Sequence, residues 1–304
     1  MNLLYKAQTR FLFHAHIKIK ISVFYEDSIF DELFDVLEEI DKKYNSYQPG
    51  SFIDLINKNS GHFVEVDHET INILQQIIEL SGYFNGSYDI TIMPLIRLWG
   101  FYKENQQKIP KLQEIERIKH LVDYKKIEIK GNKVKIAEGQ EIITGSFIKA
   151  YAVDQLAQKM IQRGITDAII NAGGSTIKAI NNESHPFWQI LVREPENEEL
   201  LFKLNIQNQC YSTSSQAKTF VEINGKKYGH ILNPKTGYPS TNKQMGIISD
   251  SCMVGDIIST GLFNETKQGF LLKTNLLSQN YNIKGFLIDE DNNITYSKGF
   301  SNKN

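Results

Sequence analysis

Residues 11–24 (FLFHAHIKIKISVF) alternate apolar and polar side chains, the two-residue period of a half-buried strand. Beyond them the period changes. Ile29, Leu33, Val36, Leu37 and Ile40 recur at three- and four-residue intervals, which predicts an amphipathic helix to about residue 44. A second helix is predicted after His68, with Ile71, Leu74, Ile77, Ile78 and Leu80 as its buried stripe. Alternation returns at residues 125–137 (KKIEIKGNKVKIA), where Gly131-Asn132 divides two short strands of a hairpin. Residues 151–163 go back to helical spacing through Val153, Leu156, Ala157 and Met160, and Gly164 ends that helix.

The rest of the chain predicts shorter elements. Residues 167–171 read as a strand running into Gly173-Gly174, and residues 187–193 as another. Residues 218–232 form a second hairpin about Asn224-Gly225, a strong two-residue turn signal. A strand is predicted over 244–250, and Ser251 caps a helix that runs to about residue 265. The polar stretch 103–111, with one proline, reads as a surface loop. Helices and antiparallel hairpins interleave without a βαβ rhythm, so the predicted fold class is α+β, with mixed or antiparallel sheets and packed helices. No repeat, low-complexity tract or linker divides the sequence. The expected organisation is a tail over residues 1–10, which could be the remnant of a removed export signal, and one compact domain over 11–304.

Composition narrows the classes. The 304 residues are 41% apolar and 23% charged, ordinary for a globular domain with a sizeable core. A net charge of −1 provides no basic field for nucleic acid, although a local phosphate site is compatible with it. Cys210 and Cys252 are far apart and make no CxxC pair; they allow one disulfide and exclude a disulfide-built scaffold or a zinc module. No run approaches the 18 apolar residues of a membrane span. The segment Met1–Gln8 is too short and polar for a complete signal peptide, so the chain as written reads as cytoplasmic.

Five segments could carry chemistry. In residues 144–154 (TGSFIKAYAVD) a small-residue turn, Gly145-Ser146, lets backbone approach a ligand. Lys149 follows near a helix start, where a cation and backbone N–H groups can hold phosphate; a plain solvated lysine reads equally well there. Asn171-Ala172-Gly173-Gly174-Ser175 suits either a strand end approached by a flat ligand or a tight turn. It is neither a dinucleotide fingerprint nor a Walker motif. His230 begins a rigid loop (HILNPKTGYP) and could serve as a general base, or be a satisfied structural histidine. Asp256 and Thr260 share one helix face at i, i+4, offering two hard oxygens to Mg²⁺ or simply bonding the helix backbone. Ser87-Tyr88-Asp89-Ile90-Thr91 leads to Leu98-Trp99-Gly100-Phe101, whose aromatics are core residues or walls for a flat heterocycle.

Taken in order, these segments resemble the ApbE family of flavin transferases. The likeness extends upstream to Ser46-Tyr47-Gln48-Pro49-Gly50-Ser51 with Asn57 and covers about residues 11–265. It implies a T-fold-like α+β unit and FAD:protein FMN transfer with Mg²⁺, releasing AMP and leaving FMN on a threonine or serine of an acceptor flavoprotein. It implies Asp256 and Thr260 as side-chain metal ligands, joined by a main-chain oxygen at Ser146. Ser87, Tyr88, Asp89, Lys149 and Ile231 are the implied flavin-nucleotide contacts, with Tyr47 and Phe13 from the upstream segments. His230 is the implied catalytic histidine, assisted by Lys149. FAD hydrolysis to FMN and AMP is the alternative activity, and a non-catalytic flavin-binding protein the alternative class. The resemblance also makes a periplasmic or membrane-tethered placement the main alternative to the cytoplasm.

The sequence departs from the family pattern at several places. Ile143 stands where the family keeps an aspartate, and Ser146 replaces a glycine. Phe13-His14-Ala15 replaces a Met-Gly-Thr-like element, Ser214-Ser215 a Ser-Gly, and Asn233 a frequent aspartate. These exchanges bear on affinity and rate rather than on fold.

Overall fold

The computed structural model describes residues 4–101, 108–217 and 219–301. It opens with strands β1 (Tyr5–Leu12) and β2 (Ala15–Ser22) and helices α1 (Ile29–Tyr44) and α2 (Phe52–Lys58). A short strand β3 (Val64–Glu65) precedes helices α3 (His68–Tyr83), α4 (Met93–Trp99) and α5 (Leu112–Lys119). The hairpin β4 (Glu128–Lys130) and β5 (Lys133–Lys135) leads to α6 (Ile148–Gln162). Then come β6 (Ala168–Ala172), β7 (Thr176–Ile180), β8 (Trp188–Arg193), β9 (Leu200–Ile206) and β10 (Cys210–Ser215). The hairpin β11 (Phe220–Ile223) and β12 (Lys226–Gly229) is followed by β13 (Gln244–Ser249) and α7 (Cys252–Leu262). Helix α8 (Lys267–Leu277) and strands β14 (Lys284–Ile288) and β15 (Ile294–Tyr296) complete the described elements.

Eight of these strands form one sheet in the order β1-β2-β6-β7-β10-β13-β14-β15. Every neighbouring pair in it is antiparallel, so no crossover helix is needed, and the fold is α+β as predicted. Alternate residues send their side chains to opposite faces. On one face Ile17, Ile19 and Ile21 of β2 and Met245 and Ile247 of β13 join a core with Leu33 and Leu37 of α1, Leu156 of α6 and Ile257 of α7. Burying each such side chain stabilises the fold by roughly 1.5–3 kcal/mol. On the other face Tyr211, Ile248 and Phe286 pack under the β8–β9 hairpin, through Trp188, Ile190, Val192 and Phe202. A third cluster sets Trp99 and Ile96 of α4 and Ile115 of α5 against Ile143, Ile223 and Leu232.

Two predicted boundaries change. The single strand over 11–24 is the end of β1, a turn, and β2, because Phe13 and His14 both adopt positive φ, 52° and 57°. The tail expected over residues 1–10 is corrected for residues 5–10, which belong to β1 and pair along β2. That strand is an edge on which no side chain is buried, so no apolar alternation announces it. Residues 1–3 lie outside the described residues, as do 102–107, which include most of the expected surface loop, and Lys218 of the second predicted hairpin. The other predicted helices and hairpins stand where they were expected, with α6 beginning at Ile148 rather than Tyr151.

Candidate active site

A cavity of about 660 Å³ opens where the ends of β6, β7, β10 and β12 meet α6 and α7. It gathers Ser87, Tyr88, Asp89, Ser146, Lys149, His230, Ile231, Asp256 and Thr260, which the sequence scatters over more than 170 positions. Phe13 and Tyr47 do not line it. Phe13 is turned into the core at the β1–β2 turn, and its neighbour His14 faces the cavity instead. Tyr47 stacks edge-on against His14, with ring centroids 5.4 Å apart, and so stands one side chain back.

Lys149 and Asp256 form the charged centre. Asp256 is buried and Lys149 partly so, with Lys149 Nζ 3.7 Å from Asp256 Oδ2. The ammonium also donates to Ser175 Oγ at 3.0 Å and to Thr176 Oγ1, and the Thr176 hydroxyl donates to Asp256 Oδ2 at 2.8 Å. Burial pushes the Asp256 carboxyl above the ordinary carboxylate range, against the pull of Lys149. Its second oxygen, Oδ1, is buried with no hydrogen-bond partner within normal geometry, and the Ser212 hydroxyl lies beside the carboxyl. A carboxylate oxygen kept from water and left unpaired is costly, and a hard cation would satisfy it. Thr260 lies one turn on, its hydroxyl donating to the Asp256 carbonyl at 2.9 Å, with lone pairs left to offer. Ser146 lines the same cavity and is held by Tyr88, whose hydroxyl is 2.9 Å from Ser146 Oγ. These oxygens fit Mg²⁺.

Two segments hold that centre in place. Asp154, five residues after Lys149 on α6, accepts from the backbone N–H groups of Cys252 and Met253 and from Ser251 Oγ, at 2.7–3.0 Å. It thus clamps the start of α7, the helix that carries Asp256 and Thr260. The Asn171–Ser175 segment ends β6 and makes a tight hairpin turn into β7, with Gly173, Gly174 and Ser175 lining the cavity. Gly173 and Gly174 take positive φ there, and a Cβ on Gly173 would meet that of Ala15 at 3.0 Å.

His230 follows directly on β12. Its Nδ1 lies 3.1 Å from the Thr219 carbonyl, which can only accept, so Nδ1 carries the proton and Nε2 holds the lone pair. Burial lowers its pKa below the ordinary 6.5, only partly opposed by the Thr219 bond, and the neutral ring is favoured. The loop beyond it is rigid. Trp99 Nε1 donates to Gly237 O at 2.7 Å, and Asn264 Nδ2 donates to Leu232 O at 3.2 Å and Ser87 O at 3.3 Å. Trp99 is therefore a core residue that braces this loop, not a wall of the cavity.

The remaining predicted residues divide by role. Asp89 lines the cavity, but its carboxylate is engaged by Thr91 N, Thr91 Oγ1 and Tyr124 N at 2.7–2.8 Å, which holds the segment in shape. Ser87 is pinned through Glu265 Oε1 at 2.6 Å, itself paired with Lys273. Ile143 joins Ile92, Ile96 and Ile231 as the apolar part of the lining. His14, Arg193, Thr213, Gln244 and Asn264 also line the cavity, and Thr176 stands behind it, although no motif singles them out. Arg193 arrives on the β8–β9 hairpin, and the place of Thr176 beside the paired glycines is ordinary.

Fold and cavity together define an α+β protein whose cavity joins an apolar wall, a lysine–carboxylate pair and a histidine kept neutral by burial. The family pattern of ApbE matches residues 13–278, and the chain belongs to the ApbE family. It is 27% identical over 239 residues to the FAD:protein FMN transferase of Vibrio cholerae, covering 76% of this chain and 71% of that one. The FAD:protein FMN transferase of Haemophilus influenzae is 28% identical over 249 residues, covering 77% and 71%. Among solved structures, the ApbE protein of Thermotoga maritima superposes with a TM-score of 0.88 at 22% identity over 97% of both chains. The flavin transferase ApbE of Vibrio cholerae superposes at 0.83 with 21% identity over 98% of both. These likenesses show a shared fold.

Proposed function

We propose that this protein is an Mg²⁺-dependent FAD:protein FMN transferase that places FMN on a serine or threonine hydroxyl of an acceptor flavoprotein. The observation that carries it is the meeting of Lys149, Asp256, Thr260 and His230 in one cavity that also has an apolar wall. The wall of Ile92, Ile96, Ile143 and Ile231 suits the isoalloxazine, and Ser87, Tyr88 and Asp89 border it. Here the aspartate usual at position 143 is replaced by apolar contact, which offers the ring packing in place of a hydrogen bond.

Asp256, Thr260 and the main chain at Ser146 would hold Mg²⁺, which when bound neutralises pyrophosphate charge. Lys149 steadies the same phosphates from the start of α6, where no side chain caps the helix. His230 Nε2 takes the proton of the acceptor hydroxyl as that oxygen bonds to the FMN phosphorus. The bond from that phosphorus to the bridging oxygen breaks, and AMP leaves with the oxygen. Base assistance of this kind is typically worth about 10²–10⁴-fold. With water in the hydroxyl's place the products are FMN and AMP.

The test is incubation with FAD, Mg²⁺ and a co-expressed candidate acceptor, read by mass spectrometry for covalent FMN. Flavinylated acceptor is expected from the wild type and none from Asp256→Ala, whose far-UV circular dichroism should match the wild type. Free FMN alone with every acceptor assigns hydrolysis instead, and full activity in Asp256→Ala removes the metal assignment.

A further inference from the structure

We infer that Thr176 is the positioning residue of this site, its hydroxyl setting Lys149 and Asp256 at their working separation and thereby the affinity for the divalent cation. The inference rests on the metal reading above and adds a residue to it.

Thr176 is the first residue of β7, directly after the glycine turn, and it is fully buried. Its backbone is fixed from both sides, by Ala172 of β6 and Ser212 of β10. A β-branched side chain in a strand has little freedom at χ1, so the hydroxyl is fixed with it. That hydroxyl touches both charges, receiving an N–H from Lys149 and lying 2.8 Å from Asp256 Oδ2. Lysine has no acceptor, so the threonine proton can only go to the carboxylate. The direction of the chain is therefore set: ammonium to hydroxyl to carboxylate.

The consequence is directional for the carboxylate. Oδ2 is committed to Thr176 and faces Lys149, while Oδ1 is left without a partner. A carboxylate so held can turn neither oxygen inward to satisfy itself, and its free lone pairs keep one orientation. Groups that orient a ligand in this way typically contribute 10–100-fold to metal affinity or activity. Without the hydroxyl, Lys149 could close directly on Asp256, the ammonium taking the cation's place on the carboxylate. A hydroxyl between two buried charges also contributes to stability, so the test must separate the two effects.

The experiment measures Mn²⁺ binding as a spectroscopic probe for Mg²⁺, by electron paramagnetic resonance, with and without FAD, together with FAD affinity and melting temperature. Thr176→Val keeps the shape and removes the hydroxyl; Thr176→Ser keeps the hydroxyl and removes the methyl. The expected result is Mn²⁺ affinity about 10–100-fold weaker in Thr176→Val and close to wild type in Thr176→Ser. Should valine prevent folding, Thr176→Ala replaces it, with the same outcomes read. Equal Mn²⁺ affinity in wild type and the hydroxyl-free variant overturns the inference and leaves the metal reading standing. Equal weakening in the hydroxyl-free and serine variants, tracking melting temperature, also overturns it, since it marks a packing role. A wild type that binds no Mn²⁺ even with FAD overturns the metal reading itself, and the inference with it.

Discussion

At the residue scale the decisive feature of His230 is its tautomer. The Thr219 carbonyl holds the proton on Nδ1, and burial keeps the ring neutral. A base whose pKa lies below 6.5 stays competent when the solution is mildly acid, so the acid limb of the rate profile should fall below that value. His230→Ala should lower kcat by about 10²–10⁴-fold, leave FAD affinity nearly unchanged and abolish the acid limb. Rate measurements across pH with parallel FAD titration check this; equal losses of rate and affinity would make His230 a binding residue. The motif histidine, lysine and aspartate were legible as a set because their order along the chain is distinctive. Thr176 was not, because a threonine beside a glycine turn is unremarkable until Lys149 and Asp256 are seen on either side of it.

At the scale of elements, the pairing of α6 with α7 makes the site. In sequence Asp154 closes the segment 144–154 (TGSFIKAYAVD) without a role of its own. In the fold it caps another helix, joining the backbone carrying Lys149 to that carrying Asp256. Asp154→Ala should cost roughly 1–2 kcal/mol in urea unfolding, as loss of a helix cap does, and should lower transfer activity although residue 154 does not line the cavity. Unchanged stability would mean that the start of α7 is held by Ser251 alone. Beside this clamp Cys210 and Cys252 are buried free thiols with sulfurs 2.7 Å apart, and burial raises the pKa of Cys252. Helices such as α1 and α3 were readable because one apolar stripe faces one core. Strand β1 was not readable over residues 5–10, because an edge strand without a buried side chain carries no alternation of apolar and polar positions.

At the scale of the whole molecule, the cavity is assembled from both ends of the chain, with His14 from the first hairpin and Asp256 from α7 among its walls. Ligands that bind only this assembled state stabilise it by mass action, by about 2.7 kcal/mol at a concentration of 100 times Kd. FAD and Mg²⁺ together should therefore raise the melting temperature more than the sum of their separate effects, since in the proposed site the cation and the pyrophosphate neutralise each other's charge beside Lys149 and Asp256. Differential scanning fluorimetry with each ligand alone and both together checks this, and strict additivity would show that the two sites are uncoupled. Among the described residues no helix is long and apolar enough to cross a membrane.

The sequence by itself determined the α+β class, the main helices and hairpins, the family, and nine of the residues that meet in the cavity. Local periodicity and turn chemistry fix elements, and an ordered set of motifs is a property of the chain alone. Only the tertiary structure decided that Phe13 turns inward while His14 faces the cavity, that Trp99 braces a loop, that Asp154 caps a distant helix and that Thr176 stands between Lys149 and Asp256. Each of those depends on which side chain points where once remote strands are paired, and on which buried polar group finds a partner. These are contacts between segments, and no spacing within one segment encodes them.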